Sequence, residues 1–146
     1  MATASIFWQV QQVRAAAGLP EVLESARAAF DCMLAEAEAH EHPGTPLFPA
    51  FVLAATAAAS GRDAVLLAPS LPWPPRDNGP GGGQAFGPGE PAGVAARALA
   101  SLCQALICRL EAAAGSAAGA GDRDACRYAA GRARVIGDLM AWPEDE

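Results

Sequence analysis

The sequence predicts an all-α fold: one helical domain over residues 1–146, a single bundle of about five helices. Three observations carry this. Apolar side chains recur at threes and fours through most of the chain, the period of one helical face. Alanine, the residue of highest helix propensity, fills 37 of the 146 positions. The residues that helices exclude are gathered in one place, with seven prolines and six glycines among the 23 residues 69–91. Proline lacks the backbone donor and collides with the preceding turn, and glycine loses the most conformational freedom on ordering, so no regular element crosses this connector.

Each element follows from its own punctuation. The first helix is expected over residues 5–17, with Ile6, Val10, Val13 and Ala17 on one stripe, Gln9 and Gln12 off it, and Gly18 as its end. Pro20 then suits the first turn of a second helix, and Glu21 and Glu24 suit the positive end of its dipole. Its stripe is Leu19, Leu23, Ala26, Phe30, Met33 and Ala37, while Glu24, Arg27, Asp31, Glu38 and Glu41 are expected to face water. It stops at His42, Pro43 and Gly44. Thr45 and Pro46 cap a third helix over residues 47–59. That helix is apolar on every side except at Thr56, which predicts a place at the middle of the bundle, with Ser60 and Gly61 as its stop.

Residues 64–68 read equally as a helical turn or a buried extended piece. In the connector, residues 69–76 are expected to be stiff polyproline-like chain docked by Leu71 and Trp73, and residues 79–89 to be flexible. A fourth helix is expected over residues 91–114 on the stripe Leu99, Leu102, Leu106 and Leu110, followed by a turn over residues 115–121. Asp122 caps a fifth helix that runs to about Ala141 and buries Cys126, Ala129, Ala133, Ile136 and Met140. The pairs Arg62-Asp63 and Arg123-Asp124 each follow a small-residue run in an expected turn, a hint of internal duplication that alanine-rich chains also produce by chance.

Composition narrows the function classes. Beyond alanine only 39 apolar residues remain, and at about 25 cal/mol per Å² of buried apolar surface alanine-lined helices must approach closely to be stable. The chain has ten arginines and no lysine, the codon bias of a GC-rich bacterial genome. A net charge of −6 disfavours attraction to nucleic acid or anionic lipid. That charge is two-sided: residues 1–61 carry two arginines against six acids, and residues 91–142 carry six arginines against four acids. The first ten residues lack the features of a targeting segment, so a cytoplasmic location is expected. The longest apolar run, residues 50–59, is about half a bilayer span, so no membrane association is expected. Cys32, Cys103, Cys108 and Cys126 are expected to be free, buried thiols, since Cys103 and Cys108 point about 140° apart on one helix and form no metal clip.

The densest polar group is Glu36, Glu38, His40, Glu41 and His42 at the end of the second helix. Cys32, Glu36 and His40 stand four apart on one face and, with His42, offer thiolate, carboxylate and imidazole to one divalent metal. A catalytic zinc needs three protein ligands on a rigid frame, and the other helices offer no histidine, the nearest candidates being Asp122, Asp124 and Cys126. The plainer reading is a solvated acidic helix end, with the histidines near the negative end of the dipole. Either histidine titrates in a range suited to acid–base work, but no nucleophile motif, phosphate loop or dinucleotide fingerprint accompanies them. Pro72, Pro75 and Arg76 form a PxxP stretch followed directly by arginine, close to a PxxPxR ligand pattern, which proline-rich chain yields freely. Arg123, Arg127 and Arg134 line one side of the last helix with Arg132 nearby, and are expected to pair with the acidic second helix within the chain or across a dimer.

These readings favour a non-catalytic helical interaction protein, a homo-oligomer or a module for another protein, with Trp73, Arg123, Arg127 and Arg134 as interaction residues and no cofactor. The alternative is a metal- or small-molecule-binding protein using Cys32, Glu36, His40 and His42. A DNA-binding regulator comes third, since it needs a denser basic surface.

Overall fold

A computed structural model describes residues 2–41, 48–72 and 92–141. Five helices form an all-α bundle: α1 (Ala2–Ala15), α2 (Leu19–Ala39), α3 (Phe48–Leu66), α4 (Ala92–Ser116) and α5 (Ala120–Met140). The expected cap at Thr45 and Pro46, the glycines of residues 79–89, and Trp73, Arg76 and Pro143 lie outside the described residues.

Two antiparallel hairpins build the bundle. In the first, Asp31 of α2 meets Arg62 of α3 and His40 meets Phe51. In the second, Glu111 of α4 meets Arg134 of α5. The hairpins join through α2 against α4 and α3 against α5, and α1 packs on both α2 and α4. Its last turn is tied down by Arg109, which donates to the Arg14 carbonyl.

The third helix is therefore not the central one. The helices α2 and α4 each pack against three others, whereas α3 packs chiefly on α2 and α5 and turns Leu53, Thr56 and Asp63 to solvent. Alanine makes a helix face apolar without giving it bulk. The centre goes instead to the bulky stripes, Leu23, Phe30 and Met33 on α2 and Leu99, Leu102, Leu106 and Leu110 on α4, all buried.

Three expected boundaries move. Ser60 and Gly61 do not stop α3, which continues to Leu66 and makes residues 64–66 its last turn. The amides of Leu67 and Ala68 extend the winding by bonding to the carbonyls of Asp63, Ala64 and Val65. Gly61 is small for another reason: a Cβ built there would stand 2.5 Å from the buried Phe30 ring of α2. Gly18 starts α2 instead of ending α1; it is the extended N-cap, and its amide donates to the Glu21 carboxylate at 3.1 Å. Finally, α5 begins at Ala120 after the N-cap Gly119, so Asp122 sits at its third position and is not its cap. The Arg62-Asp63 pair is thus inside α3 while Arg123-Asp124 is in the first turn of α5, which removes the parallel between the halves.

On α1 the stripe Ile6, Val10 and Val13 is buried as expected, but Ala16 replaces Ala17, and Gln9, expected off the stripe, is fully buried. Because α1 lies between α2 and α4, its buried arc is wider than one stripe. In α4, residues 93–116 are long and apolar enough to cross a bilayer. The leucine stripe of this stretch is buried inside the bundle.

Candidate functional site

The acidic end of α2 is not solvated along its whole width. Cys32, Glu36 and His40 share one face, as their spacing requires, and all three are buried. Glu36 Oε2 lies 3.9 Å from His40 Nε2, and the imidazole stacks on Phe51 with 4.9 Å between ring centroids. Burial, and then the Glu36 and Asp31 carboxylates, push the Cys32 thiol up to about 12, and a thiol held neutral is a poor metal ligand and a poor nucleophile. Among the described residues no three His, Cys, Asp or Glu side chains are grouped to hold a metal ion, and His42 lies outside them.

The other thiols divide by helix face. Cys103 is buried, pushed up to about 12 by that burial, and donates to Met33 Sδ at 3.6 Å. Burial also raises Cys126, with Asp122 adding to the shift. Cys108 is exposed, against the expectation that all four are buried; the 140° between it and Cys103 leaves room for only one of them to face inward.

The arginines of α5 do not reach the acidic α2. Arg134 pairs with Glu111 of α4, Arg123 donates to the Ala117 carbonyl at 3.2 Å, and Arg127 is exposed. The reason is topological, since α5 packs on α3 and α4. On α2, Asp31 instead holds Arg27 at 2.9 Å and Arg62 of α3 at 3.6 Å. Asp122 clamps the start of the connector: Ser70 donates its amide to Oδ1 at 2.9 Å and its hydroxyl to Oδ2 at 2.7 Å, and Leu71 is buried as expected.

What remains is an outward face made by α3 and α5. Among the described residues the large hydrophobic side chains left exposed are Leu53 at 56%, Leu67 at 82% and Tyr128 at 52%, and all three belong to these two helices or their ends. Leu53, Ser60 and Leu67 are seven apart and, because the winding continues through Leu67 just past the end of α3, share one stripe. Asp124, Tyr128 and Arg132 are four apart and share one stripe of α5. The two stripes are neighbours, because Ser60 Oγ lies 3.2 Å from the Tyr128 hydroxyl. Arg132 places its guanidinium 5.7 Å from the Tyr128 ring centroid, a cation–π contact on the surface.

Between Ser60, Ala64 and Leu67 on one side and Gly121, Ala125 and Tyr128 on the other runs a groove of about 460 Å³. That volume suits a small ligand, but the groove is open to solvent and its walls are mainly apolar, with the exposed Asp63 and Asp124 also lining it, so it fits an elongated, largely apolar surface better. No protein-family model, curated protein or solved structure matches the chain. Function must therefore be argued from this geometry. Sequence reading missed the face because Leu53 falls in a helix apolar all round and Leu67 in a stretch with no clear assignment. The signal that could have found it is the repeat Leu53, Ser60, Leu67 at the spacing of a helix–helix seam.

Proposed function

We propose that this chain is a non-catalytic helical interaction protein whose protein partner seats on the outer face of α3 and α5. One observation carries the reading: in a chain poor in bulky apolar residues, the large ones left in solvent among the described residues lie on that face. The buried Glu36–His40 pair and the raised thiols of Cys32 and Cys103 give no support to a catalytic reading, because each group is enclosed by the core. Nucleic acid is disfavoured as the partner, since the face carries Asp63 and Asp124 beside Arg132 and the chain is acidic overall.

The test is a photo-crosslinking amino acid placed at Leu53 or at Leu67 in the full chain, with Ala112, exposed on α4, as the control position. Irradiation at working concentration should give a protein adduct from the two α3 positions and none from the control. Silence at both α3 positions overturns the reading.

A further inference from the structure

On the reading that this face takes a protein partner, we infer that the partner is a second copy of the same chain, related by a two-fold axis level with Ser60 and Tyr128. The argument is the symmetry of the face about its own midpoint. On α3, Leu53 and Leu67 lie seven residues to either side of Ser60, about 10 Å each way along the helix. On α5, Asp124 and Arg132 lie four residues to either side of Tyr128, about 6 Å each way. The 3.2 Å approach of Ser60 Oγ to the Tyr128 hydroxyl puts the two midpoints at one level.

A two-fold axis in the plane of the face and across the helices sets each helix antiparallel to its copy. An isologous contact then brings every residue opposite the one equidistant on the far side of the midpoint. Leu53 of one copy meets Leu67 of the other, and the reverse. Asp124 of one copy meets Arg132 of the other, again twice. A face that was apolar at one end and polar at the other, or acidic on both sides of Tyr128, would oppose itself. Here Leu53 complements Leu67 and Asp124 complements Arg132, and Asp63, which also lines the groove and pairs with Arg62 of its own chain, falls opposite Ala57 and meets no like charge. The small residues Ala64 and Ala125 along the groove keep its walls low, which is the geometry an alanine-rich helix pair needs to gain from packing. The acidic and basic surfaces elsewhere add nothing to this register, since Arg134 and Asp31 are already engaged within the chain.

Sedimentation equilibrium on the full chain tests the register by charge exchange. The unaltered chain should form a dimer. Asp124→Arg alone and Arg132→Asp alone should each weaken dimerisation tenfold or more, because each places like charges opposite one another twice. An equimolar mixture of the two variants should recover a dimer, and so should the double variant, because both restore opposite charges at both contacts. Recovery on mixing is a result that damage to the fold does not give. Leu53→Glu with Leu67→Arg in one chain is the second case: each change alone should weaken the dimer, and the two together should restore it. Single variants that leave the dimer intact, or a mixture that stays monomeric, overturn this register. A monomeric unaltered chain whose Leu67 crosslinker captures a different protein overturns the second copy and leaves the interaction reading standing. A monomer with no adduct overturns both.

Discussion

Along α3 the stripe Phe51, Ala54, Ala58, Gly61 and Val65 is sealed inside the bundle, while across the same helix Leu53 and Leu67 stand in solvent on either side of Ser60. The outer side carries two leucines and the inner stripe none, so the bulk of single apolar residues does not by itself decide which side is inside. Shape does. The inner stripe offers a hollow at Gly61 that the Phe30 ring of α2 fills, and a ring surface at Phe51 on which His40 lies flat. The outer stripe offers two projecting side chains with a groove beside Leu67, the surface to which the proposed partner is assigned. The folded monomer depends on the first stripe, and the proposed assembly would depend on the second.

The strongest way to break that contrast is Phe30→Ala. The ring is fully buried and occupies the space Gly61 leaves. Its loss should destabilise the chain by about 3–5 kcal/mol, transfer and cavity costs together. Against a domain stability of roughly 5–15 kcal/mol this is a large share, and urea unfolding will read it as a lower midpoint. A loss below about 1 kcal/mol would mean that the inner stripe is not closed.

Next in size is a pair of identical substitutions with opposite signs. Alanine for glycine inside a helix gains about 1 kcal/mol in propensity wherever the new methyl has room. At Gly131 of α5 nothing lies within 4 Å of a built Cβ, so Gly131→Ala should stabilise by roughly 0.5–1 kcal/mol. At Gly61 the methyl meets the Phe30 ring, which is itself enclosed and cannot swing away. Overpacking of this kind costs about 1–3 kcal/mol, more than the propensity gain, so Gly61→Ala should destabilise. Thermal melts of the two variants side by side should move apart; a rise for both would show that α2 and α3 are not in close contact.

How much of this was legible beforehand follows from what each signal encodes. The five helices were readable because periodicity and proline placement are local, and the buried stripes of α2, α4 and α5 followed from them. Gly61 was read as a stop because a glycine after an alanine run looks the same whether it ends a helix or admits a ring from another one; only the partner, 31 residues earlier in the chain, tells them apart. Gly18 misled in the same way, as a cap for the helix that follows. The burial of Glu36 and His40 was not readable either, since their flanks Glu38 and Glu41 do face water, and it takes Phe51 from α3 to turn the other side of the same turn inward. The arginines of α5 were matched to the acidic α2, within the chain or across a dimer, by charge alone, and within the chain charge does not carry topology.

The smallest expected effect is the one that separates the two stripes most sharply. Leu53→Gln removes a large apolar side chain from a helix with almost the bulk of an inner residue, yet the position is 56% exposed in the single chain. For the dilute monomer the change in unfolding free energy should stay within about 0.5 kcal/mol, the range of ordinary surface substitutions. As protein concentration rises, the unaltered chain should gain stability by mass action as copies associate, and the variant should gain less. The two denaturation midpoints should therefore coincide at low concentration and diverge at high concentration. A variant already destabilised when dilute would place Leu53 in the monomer's own core, and a midpoint independent of concentration in both proteins would remove the second copy as the agent that covers this face.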